Sequence, residues 1–474
     1  MRTRLLALTI LAILAVAPEA RSEVPKPPEP PKTFDLEAID AYVAGVVREK
    51  EITGLSLAIA RDGKIVLAKG YGRRSIEDRA PVEPETSFAI GSVSKQFTCA
   101  CILLLAQEGK LSVDDKVAKY FPGLTRAGEI TLHQLMSHTS GYPDYYPLDF
   151  VDRRMSRPIG VDALIREYAG GKLDFPPGTR WSYSNTGFMI LGKVVEKVSG
   201  QPFGVFLAER ILKPLGMDRS TFEPSQADPN RARGYTPFAL GPPEPCTPEA
   251  EGWIYAAGGV WASAPDLARW ATALMEGKVL DPERLRIMTT PAALLDGRLT
   301  TYGCGIGVRR ENGDIVLSHG GAVSGFRASL SMIPRLKASV VILMNNEQSD
   351  AGIGQAIVGL LTKPEGEPEV PKVDGPSPKE AALAFFREMQ AGQVDRGKLG
   401  EEFAAYLTDE RIAAAAPRLK PLGEPEKVEV RGVRERGGME VAAIRLTFKD
   451  AVLDGSLYRT PDGKIQQLLF EKSP

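Results

Sequence analysis

The chain has 474 residues, of which 43% are hydrophobic and 25% are charged, and its formal net charge is −1 at pH 7. This composition is typical of a globular protein and excludes a largely disordered chain. The balanced charge argues against a nucleic-acid partner, because proteins of that class usually carry a basic excess. With 3 His and 4 Cys the chain offers few ligand sets for a zinc site, and we expect no metal and no other cofactor.

The first 22 residues are typical of a secretory signal peptide. Arg2 and Arg4 precede an apolar run of about 12 residues, Leu5 to Val16, whereas a membrane-spanning helix needs roughly 20. Cleavage is expected after Ala20-Arg21-Ser22, and an uncleaved membrane tether is the alternative. We therefore expect an exported protein, periplasmic or secreted, without a transmembrane helix once the signal is removed.

Two proline-rich stretches divide the rest of the chain. Residues 23–33 form a charged spacer, and residues 363–376 form a linker of similar composition. Both should be extended rather than folded. The predicted organisation is therefore a body over residues 34–362 and a small domain over residues 377–474.

The body begins and ends with patterns typical of antiparallel strands. A helix over 36–50 precedes strands at 55–60 and 64–70, which flank a hairpin turn at Asp62-Gly63. Strands at 305–310, 314–319, 326–332 and 338–344 close the body, and helix-rich sequence lies between the two sets. We predict an α+β fold in which both ends of the body form one antiparallel sheet with flanking helices and a helical lobe. The cleft between sheet and lobe is the expected site.

The C-terminal domain is also predicted to be α+β. Ser377-Pro378-Lys379-Glu380 has the form of a capping box with proline at the first helical position, and helices should extend to residue 416. Strands should follow at 427–435, 440–449, 455–459 and 464–471, with turns at Gly437-Gly438 and Asp462-Gly463. This order of elements is similar to the NTF2-like cone.

The clearest chemical signal is Gly91-Ser92-Val93-Ser94-Lys95, followed by the run Phe97 to Ala106. That run is apolar nearly all round, which predicts a buried helix. Ser92 would lie at the helix N-terminus, with Lys95 one turn further along the same face. A serine hydroxyl becomes a good nucleophile when a neighbour takes its proton, and the N–H groups of a helix N-terminus favour the oxyanion that develops.

Two further segments carry polar residues that could join this site. Tyr183 and Asn185 lie two apart in a turn before a helix, so both can point to one side. The segment Ser318-His319-Gly320-Gly321-Ala322 ends a predicted strand, where two glycines let another backbone approach closely. Taken singly, these segments also fit a loop tyrosine, an asparagine helix cap and a glycine bulge.

Together, Ser-x-x-Lys, then Tyr-x-Asn, then a polar residue followed by glycine on a late strand resembles the serine β-lactamase and penicillin-binding protein family. The chain is similar to the class C-like branch, which includes D,D-peptidases, D-aminopeptidases and esterases. The resemblance covers about residues 34–362 and extends to the segments 109–115, 135–141 and 257–263.

The resemblance implies a role for each matching position. Ser92 would be acylated, Lys95 and Tyr183 would accept its proton as a coupled pair, and Asn185 would hold Lys95 or the substrate amide. The backbone N–H groups of Ser92 and Ala322 would form the oxyanion hole. A tyrosine with the ordinary pKa of about 10 is ionised only about once in 10³ at pH 7, so a Lys95 cation would have to lower the Tyr183 pKa.

His319 stands where the family's Lys-Thr-Gly motif has lysine. A histidine with a pKa near 6.5 is mostly neutral at pH 7, so it attracts a substrate carboxylate less than lysine does. We therefore expect a serine hydrolase acting as an esterase or D-amino-acid peptidase rather than as an efficient β-lactamase. Its substrate would be a small molecule or a peptide, which could derive from the cell wall. Substrate contacts are expected from Gly320, Gly321, Tyr142 and Arg327, with His319 taking part in catalysis.

A second class of function is open at this point, namely a non-catalytic penicillin- or peptide-binding protein with a degenerate site. The presence of Ser92, Lys95, Tyr183 and Asn185 favours catalysis over that alternative. A Ser-His-Asp hydrolase is disfavoured, because the sequence has no Gly-x-Ser-x-Gly segment.

Overall fold

The computed structural model describes residues 28–146, 151–223, 228, 230–237, 241–362 and 370–472. The predicted signal peptide, residues 1–22, lies outside the described residues, as do residues 23–27 of the spacer and 363–369 of the linker. Contacts divide the chain into two compact units, Met1–Thr362 and Lys363–Pro474. Within the described ranges, no helix has the length and apolar character that crossing a bilayer requires.

Both ends of the first unit contribute strands to one antiparallel sheet, in the order β3-β2-β1-β12-β11-β10-β9. The central pairing joins the two ends of this unit, since Leu55 of β1 lies opposite Met344 of β12. The turn between β1 and β2 has positive φ at Asp62 and Gly63, 53° and 74°, as a tight hairpin requires. The predicted α+β fold class is confirmed. The strands are β1 (Gly54–Arg61), β2 (Lys64–Ser75), β3 (Ala80–Pro81), β9 (Gly307–Glu311), β10 (Asp314–Val323), β11 (Phe326–Ile333) and β12 (Ala338–Met344).

Helices and short strands fill the chain between the two halves of the sheet and flank the sheet itself. The helices are α1 (Leu36–Glu49), α2 (Ser94–Gln107), α3 (Leu132–Met136), α4 (Val161–Ala169), α5 (Asn185–Ser199), α6 (Phe203–Leu207), α7 (Tyr255–Gly258), α8 (Ala264–Met275), α9 (Pro282–Thr289) and α10 (Ile353–Thr362). The short strands are β4 (Phe88–Ala89), β5 (Thr221–Phe222), β6 (Tyr235–Thr236), β7 (Glu244–Pro245) and β8 (Val260–Ala262). A 3₁₀ turn, Gly91–Val93, leads directly into α2.

Two hydrophobic clusters lie on opposite faces of the sheet, because side chains alternate along β1. Ala58 and Ala60 belong to the larger cluster, with α2, α5 and α8. Leu57 and Ile59 belong to the second cluster, with α1 and α10. Helix α2 lies deep in the larger cluster, and every residue from Ser94 to Ala106 is buried, as its apolar sequence predicts. This burial gives the residues at its N-terminus a rigid support.

The second unit has its own core, in which three helices pack on a four-stranded antiparallel meander. Ser377 and Glu380 form the expected capping box at the start of its first helix. The turn at Gly437-Gly438 has positive φ at both residues, 61° and 78°. The similarity to the NTF2-like cone stays a prediction. The elements are α11 (Pro378–Ala391), α12 (Glu401–Tyr406), α13 (Asp409–Leu419), β13 (Lys427–Arg436), β14 (Met439–Thr447), β15 (Val452–Arg459) and β16 (Ile465–Lys472).

Candidate active site

Ser92 lies in the 3₁₀ turn immediately before α2, at the helix end where backbone N–H groups are free of helical partners. Lys95 lies one turn further on, and its ammonium nitrogen is 3.0 Å from the Ser92 hydroxyl oxygen. The Lys95 side chain is completely buried. The hydroxyl and the amine are therefore in hydrogen-bond contact, as the Ser-x-x-Lys spacing predicts.

Two further partners fix how Lys95 can bond to Ser92. The Lys95 Nζ donates to Asn185 Oδ1 at 2.7 Å and to the Ala257 carbonyl oxygen at 2.8 Å. Both of these atoms can only accept hydrogen bonds. When Lys95 is neutral, its two N–H bonds serve Asn185 and Ala257, and its lone pair faces the Ser92 hydroxyl. In this geometry a neutral Lys95 is able to accept the proton of the Ser92 hydroxyl.

Burial lowers the pKa of Lys95 to about 7, because a charged ammonium loses its hydration there, while the negative charge of Asp144 opposes the shift. A substantial fraction of Lys95 is therefore neutral near pH 7. An unperturbed lysine has a pKa of about 10.4 and would be almost entirely charged at that pH. The lowered pKa suits Lys95 to act as a general base.

Asp144 orients the Asn185 side chain. The Asn185 amide nitrogen Nδ2 donates to Asp144 Oδ1 at 3.1 Å and to Oδ2 at 3.2 Å, and the Asn185 backbone N–H also donates to Oδ1 at 3.0 Å. With Nδ2 held by a carboxylate, the oxygen of the same amide faces Lys95. The contact between Asn185 and Lys95 expected from the sequence is present, and Asp144 is the group that fixes its direction.

Tyr183 lies on the other side of Lys95, whose Nζ is 4.9 Å from the centre of the tyrosine ring. Burial raises the pKa of Tyr183 above its ordinary value of 10, while an interaction with the Ser92 hydroxyl opposes the rise. The sequence analysis predicts that the Tyr183 pKa is lowered, and the direction of this shift is corrected here, because the pKa is raised. The physical reason is that the loss of hydration is the largest influence on the phenol. The Tyr183 phenol is thus protonated at pH 7 and is able to donate a proton, whereas the amine of Lys95 is the group able to accept one.

The end of β10 lies directly against the turn that carries Ser92. A Cβ atom placed on Gly91 would lie 2.8 Å from the Ala322 backbone nitrogen, and one placed on Gly321 would lie 1.9 Å from the Ile90 carbonyl oxygen. Only residues without side chains permit this approach. Ser92 and Ala322 line the same cavity, and an oxyanion hole formed by their backbone N–H groups stays a prediction. The strand also continues through Val323, beyond its predicted end at residue 319.

Gly320 and Gly321 differ in their surroundings, although the sequence assigned both to substrate contacts. A Cβ atom on Gly320 would have open space around it, since the nearest atom, the Ala328 carbonyl oxygen, would be 3.9 Å away. Neither glycine lines the cavity at Ser92. The contribution of Gly321 is close backbone contact with Ile90, and at Gly320 the surrounding space does not require a glycine.

Both ring nitrogens of His319 have partners within the protein. Nδ1 donates to the Gly320 carbonyl oxygen at 2.6 Å, which leaves Nε2 to accept from the Tyr302 hydroxyl at 2.7 Å. Loss of hydration and the nearby Lys95 lower the pKa of His319 to about 4, so this ring is neutral at pH 7. His319 does not line the cavity, and its ring centre is 6.3 Å from that of Tyr183. The structure places His319 outside the cavity wall and beside Tyr183, so a direct contact between His319 and a substrate in this cavity is not supported by its position.

A cavity of about 190 Å³ opens at Ser92. Arg327 contributes to its wall, as predicted from the sequence. Tyr142 does not: it is buried, and its hydroxyl donates to the Thr125 carbonyl oxygen at 3.0 Å, so its expected substrate contact is corrected. The lining residues are Ser92, Asp144, Tyr145, Tyr146, Tyr183, Asn185, Ile254, Ala257, Gly258, Ala322, Val323, Ser324, Arg327 and Glu347.

The cavity wall includes two carboxylates and one cation, Arg327. Asp144 is bound to Asn185, and Glu347 accepts from the Gly325 backbone N–H at 2.9 Å and from the Thr236 hydroxyl at 2.8 Å. In the parts of the chain that the structure describes, no three His, Cys, Asp or Glu side chains gather as a metal site would require. The wall is therefore polar and carries slightly more negative than positive charge.

A family model described as beta-lactamase matches residues 39–361, which span almost the whole first unit and more than half of the chain. This chain belongs to the β-lactamase family. The matched segment contains all of the candidate active-site residues, namely Ser92, Lys95, Tyr183, Asn185 and Ala322.

Individual relatives of this β-lactamase-family chain carry several names. It is 28% identical over 340 residues to the putative penicillin-binding protein PbpX of Bacillus subtilis, covering 71% of this chain and 82% of that protein. It is also 28% identical over 340 residues to a D-aminopeptidase of Gluconobacter oxydans, covering 70% of this chain and 64% of that protein. The match therefore spans less than two thirds of the D-aminopeptidase.

Among solved structures, the octameric penicillin-binding protein homologue from Pyrococcus abyssi is similar over both units. The two chains are 25% identical with a TM-score of 0.63, and the match covers 92% of this chain and 99% of that chain. The match includes much of the second unit, which the family model does not reach.

Sequence reasoning did not identify three groups beside the catalytic-type residues. Asp144 matches no motif, although a carboxylate among Tyr142, Tyr145 and Tyr146 is a signal in itself. Tyr302 also lies in a segment without a motif. His138 lies in the segment 135–141 that resembles the family, but its contact with Tyr183, with ring centres 4.2 Å apart, depends on tertiary structure.

Proposed function

We propose that this chain is an exported serine hydrolase that cleaves an amide or ester bond through an acyl-enzyme on Ser92. The observation that carries the proposal is the Lys95 amine, which is completely buried, lies 3.0 Å from the Ser92 hydroxyl and has a pKa lowered to about 7. A buried base in contact with a serine at a helix N-terminus is an arrangement suited to nucleophilic catalysis.

The steps follow from the placement of each group. Ser92 Oγ attacks the substrate carbonyl carbon while its proton passes to Lys95 Nζ, and the carbonyl oxygen becomes an oxyanion near the N–H groups of Ser92 and Ala322. The leaving nitrogen or oxygen then takes a proton from the Tyr183 phenol. The Tyr183 oxygen in turn takes a proton from Lys95. Water subsequently attacks the acyl carbon while its proton passes to Lys95 Nζ, and the bond to Ser92 Oγ breaks as that oxygen takes the proton from Lys95. Each proton taken from a nucleophile is thus returned to a leaving group.

The charges around the cavity favour a substrate with a free amino group on its acyl part. Asp144, Glu347 and Arg327 line the cavity, Lys95 is only partly charged near pH 7, and His319 is neutral at that pH instead of a lysine cation. A substrate ammonium gains from this balance, whereas a carboxylate, as in a penicillin, gains less. The D-aminopeptidase relatives support the same direction. We therefore favour an aminopeptidase or esterase with preference for a D-amino acid over an efficient β-lactamase.

Arg327 supports a second candidate function within the same chemistry. It is a cation in the cavity wall and could attract a substrate carboxylate, as a D,D-peptidase or penicillin-binding protein requires. The relative named as a putative penicillin-binding protein agrees with this reading. The two candidates differ in the charge of the group that the substrate presents.

The test compares matched p-nitroanilides on purified protein. D-Alanine p-nitroanilide, its N-acetyl derivative and the L enantiomer are assayed beside nitrocefin and p-nitrophenyl acetate. Ser92→Ala should abolish turnover, whereas Ser156→Ala, at an exposed serine, should leave it unchanged. Faster hydrolysis of the free amine than of the N-acetyl derivative supports the aminopeptidase. Preference for nitrocefin supports the second candidate, and turnover that persists in Ser92→Ala contradicts both.

The proposed export rests on the basic start and apolar run of residues 2–16. Mass spectrometry of the protein from the native host should find a mature chain that begins near Glu23, outside the cytoplasmic fraction. A cytoplasmic protein that retains Met1 or Arg2 would contradict export.

A further inference from the structure

His138 contacts the turn that carries Tyr183 at both of its flanking residues. The Ser182 backbone N–H donates to the His138 carbonyl oxygen at 3.0 Å. The Ser184 backbone N–H donates to the His138 ring nitrogen Nδ1 at 3.1 Å. Between these two bonds, the ring of His138 lies against the ring of Tyr183 with centres 4.2 Å apart. One residue thus holds the backbone before Tyr183, the backbone after it and the side chain itself.

The backbone of His138 adopts a conformation that its residue type disfavours. His138 follows α3 and the C-cap residue Ser137, and its φ is +59°. Glycine or asparagine is usual at this position after a helix, because other side chains are strained there. This conformation lets the carbonyl group and the ring of His138 bond the same turn. The left-handed conformation of His138 therefore goes together with the two hydrogen bonds that its carbonyl group and its ring make to this turn.

The ring has only one hydrogen-bonding task among the described residues. It is buried, its Nδ1 accepts from Ser184, and its Nε2 has no hydrogen-bond partner. The remaining contacts are with aromatic rings, since Trp181, Phe188 and Tyr302 lie 4.9 to 5.9 Å from it, centre to centre. His138 has no contact with the Ser92 cavity. Its ring therefore acts on the site through Tyr183.

We propose that His138 is a positioning residue, which holds the Tyr183 phenol towards Ser92 and the leaving group by bonding the backbone on both sides of it. The N–H groups of residues 182 and 184, two apart along the chain, both reach His138, at its carbonyl oxygen and at Nδ1. Rotation of the Tyr183 backbone would break both bonds. The expected effect of His138 on kcat rests on the proposed function of Tyr183 as a proton donor. The expected effect of His138 on the position of the Tyr183 ring does not.

The test uses two replacements that both tolerate positive φ. His138→Gly removes the ring acceptor and the ring contact without adding backbone strain. His138→Asn keeps an acceptor oxygen close to the position of Nδ1. We expect His138→Gly to lower kcat on D-alanine p-nitroanilide about 10²-fold with little change in KM, as misplacement of a catalytic group does. His138→Asn should recover at least about tenfold of that loss.

A double-mutant cycle with Tyr183→Phe separates positioning from a general structural role. If His138 acts through the Tyr183 hydroxyl, His138→Gly should cost less than about twofold more in the Tyr183→Phe background. The same fold-loss in both backgrounds, or no loss in the wild-type background, would overturn the proposal. Failure of His138→Asn to recover activity would also count against the acceptor role of Nδ1.

A second measurement needs no turnover. With 3-fluorotyrosine at position 183, ¹⁹F NMR of the full chain should show one resonance for the wild type and for His138→Asn, and a shifted or multiple signal for His138→Gly. Identical spectra for all three would contradict positioning even if the enzyme is active. Conversely, a spectral change in a protein without Ser92-dependent turnover would sustain positioning while the proposed function fails.

Discussion

The Asp144 carboxylate accepts hydrogen bonds from both the backbone and the side-chain amide of Asn185, at 3.0 and 3.1 Å. This pairing turns the amide oxygen of Asn185 towards Lys95, so the base and its acceptor are aligned before substrate binds. Asp144 has a second effect, because its negative charge raises the pKa of Lys95 against the larger effect of burial. A substitution of Asp144 can separate its effect on the orientation of Asn185 from the effect of its charge on Lys95.

Asp144→Asn keeps one acceptor oxygen for Asn185 but removes the negative charge. Without that charge the Lys95 pKa falls below its present value of about 7, and the neutral base persists to lower pH. The acid limb of the kcat/KM profile should therefore move to lower pH. A pH series on one substrate checks this. An acid limb that moves upwards would show that Lys95 is not the group that must lose its proton.

Lys95→Met should abolish turnover and change the pH dependence of stability. The folded-state pKa of Lys95 is about 7, below the value of about 10.4 in an unfolded chain. Between these values the unfolded state binds the extra proton, so the wild type gains stability as pH rises, by at most about 1.4 kcal/mol per unit. Below pH 7 the lysine is charged in both the folded and the unfolded state. The difference in the free energy of unfolding between wild type and variant is then independent of pH.

Tryptophan fluorescence during urea unfolding measures this difference. The four tryptophans, Trp181, Trp253, Trp261 and Trp270, all lie in the first unit, so the signal reports the unit that contains Lys95. The stability advantage of Lys95→Met should shrink between pH 7 and pH 10. An advantage that is constant over that range would mean that the buried lysine keeps its ordinary pKa.

Tyr183→Phe tests the proton-donor role assigned to the neutral phenol. The fold should be retained, since the ring contact with His138 remains possible. Hydrolysis of an amide should fall by about 10²-fold or more, because its leaving nitrogen needs a proton. Hydrolysis of a p-nitrophenyl ester should fall less, because that leaving group departs as an anion. Equal losses on both substrates would contradict a role in protonating the leaving group.

Gly321→Ala and Gly320→Ala form a matched pair on one strand. A Cβ at Gly321 would lie 1.9 Å from the Ile90 carbonyl oxygen, so β10 must shift away from the Ser92 turn. At Gly320 the nearest atom is 3.9 Å away. We expect Gly321→Ala to lose most activity and about 2 kcal/mol of stability, and Gly320→Ala to be close to wild type. Similar turnover and urea midpoints for both variants would show that close contact at Gly321 does not form the oxyanion hole.

The sequence predicted the fold well where local patterns decide structure. The predicted strand 338–344 coincides with β12 because six of its seven residues are apolar, with Ser339 the exception, and such a run between Lys337 and Asn345 suits a central strand. The buried helix α2 and the contact of Ser92 with Lys95 follow from spacing alone. Local patterns could not tell which of Tyr142, Tyr145 and Tyr146 faces the cavity, because tertiary contacts decide that direction.

The corrected parts of the site share one physical cause. A sequence shows that Lys95 and Tyr183 occur together, but the sign of the Tyr183 shift depends on how much water the fold removes from it. Likewise, His319 matches a motif position, yet its bonds to Tyr302 and Gly320 are known only from the structure. Charges and hydrogen-bond partners are properties of the packed site.

His319→Lys tests how this position sets substrate charge. In the wild type the ring is neutral at pH 7, because its pKa is about 4 and both nitrogens bond within the protein. A lysine side chain is longer than histidine and can carry its ammonium out of this half-buried position towards the cavity, where one charge-assisted hydrogen bond to a carboxylate is worth about 1.4 kcal/mol or more, a factor of about ten. We therefore expect the rate of Ser92 acylation by nitrocefin to rise about tenfold in His319→Lys, while hydrolysis of D-alanine p-nitroanilide falls because a second cation repels the substrate ammonium.

His319→Gln, which stays neutral, is the control and should show no gain with nitrocefin. A gain in both variants would trace the effect to the lost bond with Tyr302 rather than to charge, and no change in either substrate would show that the group at position 319 does not select between ammonium and carboxylate.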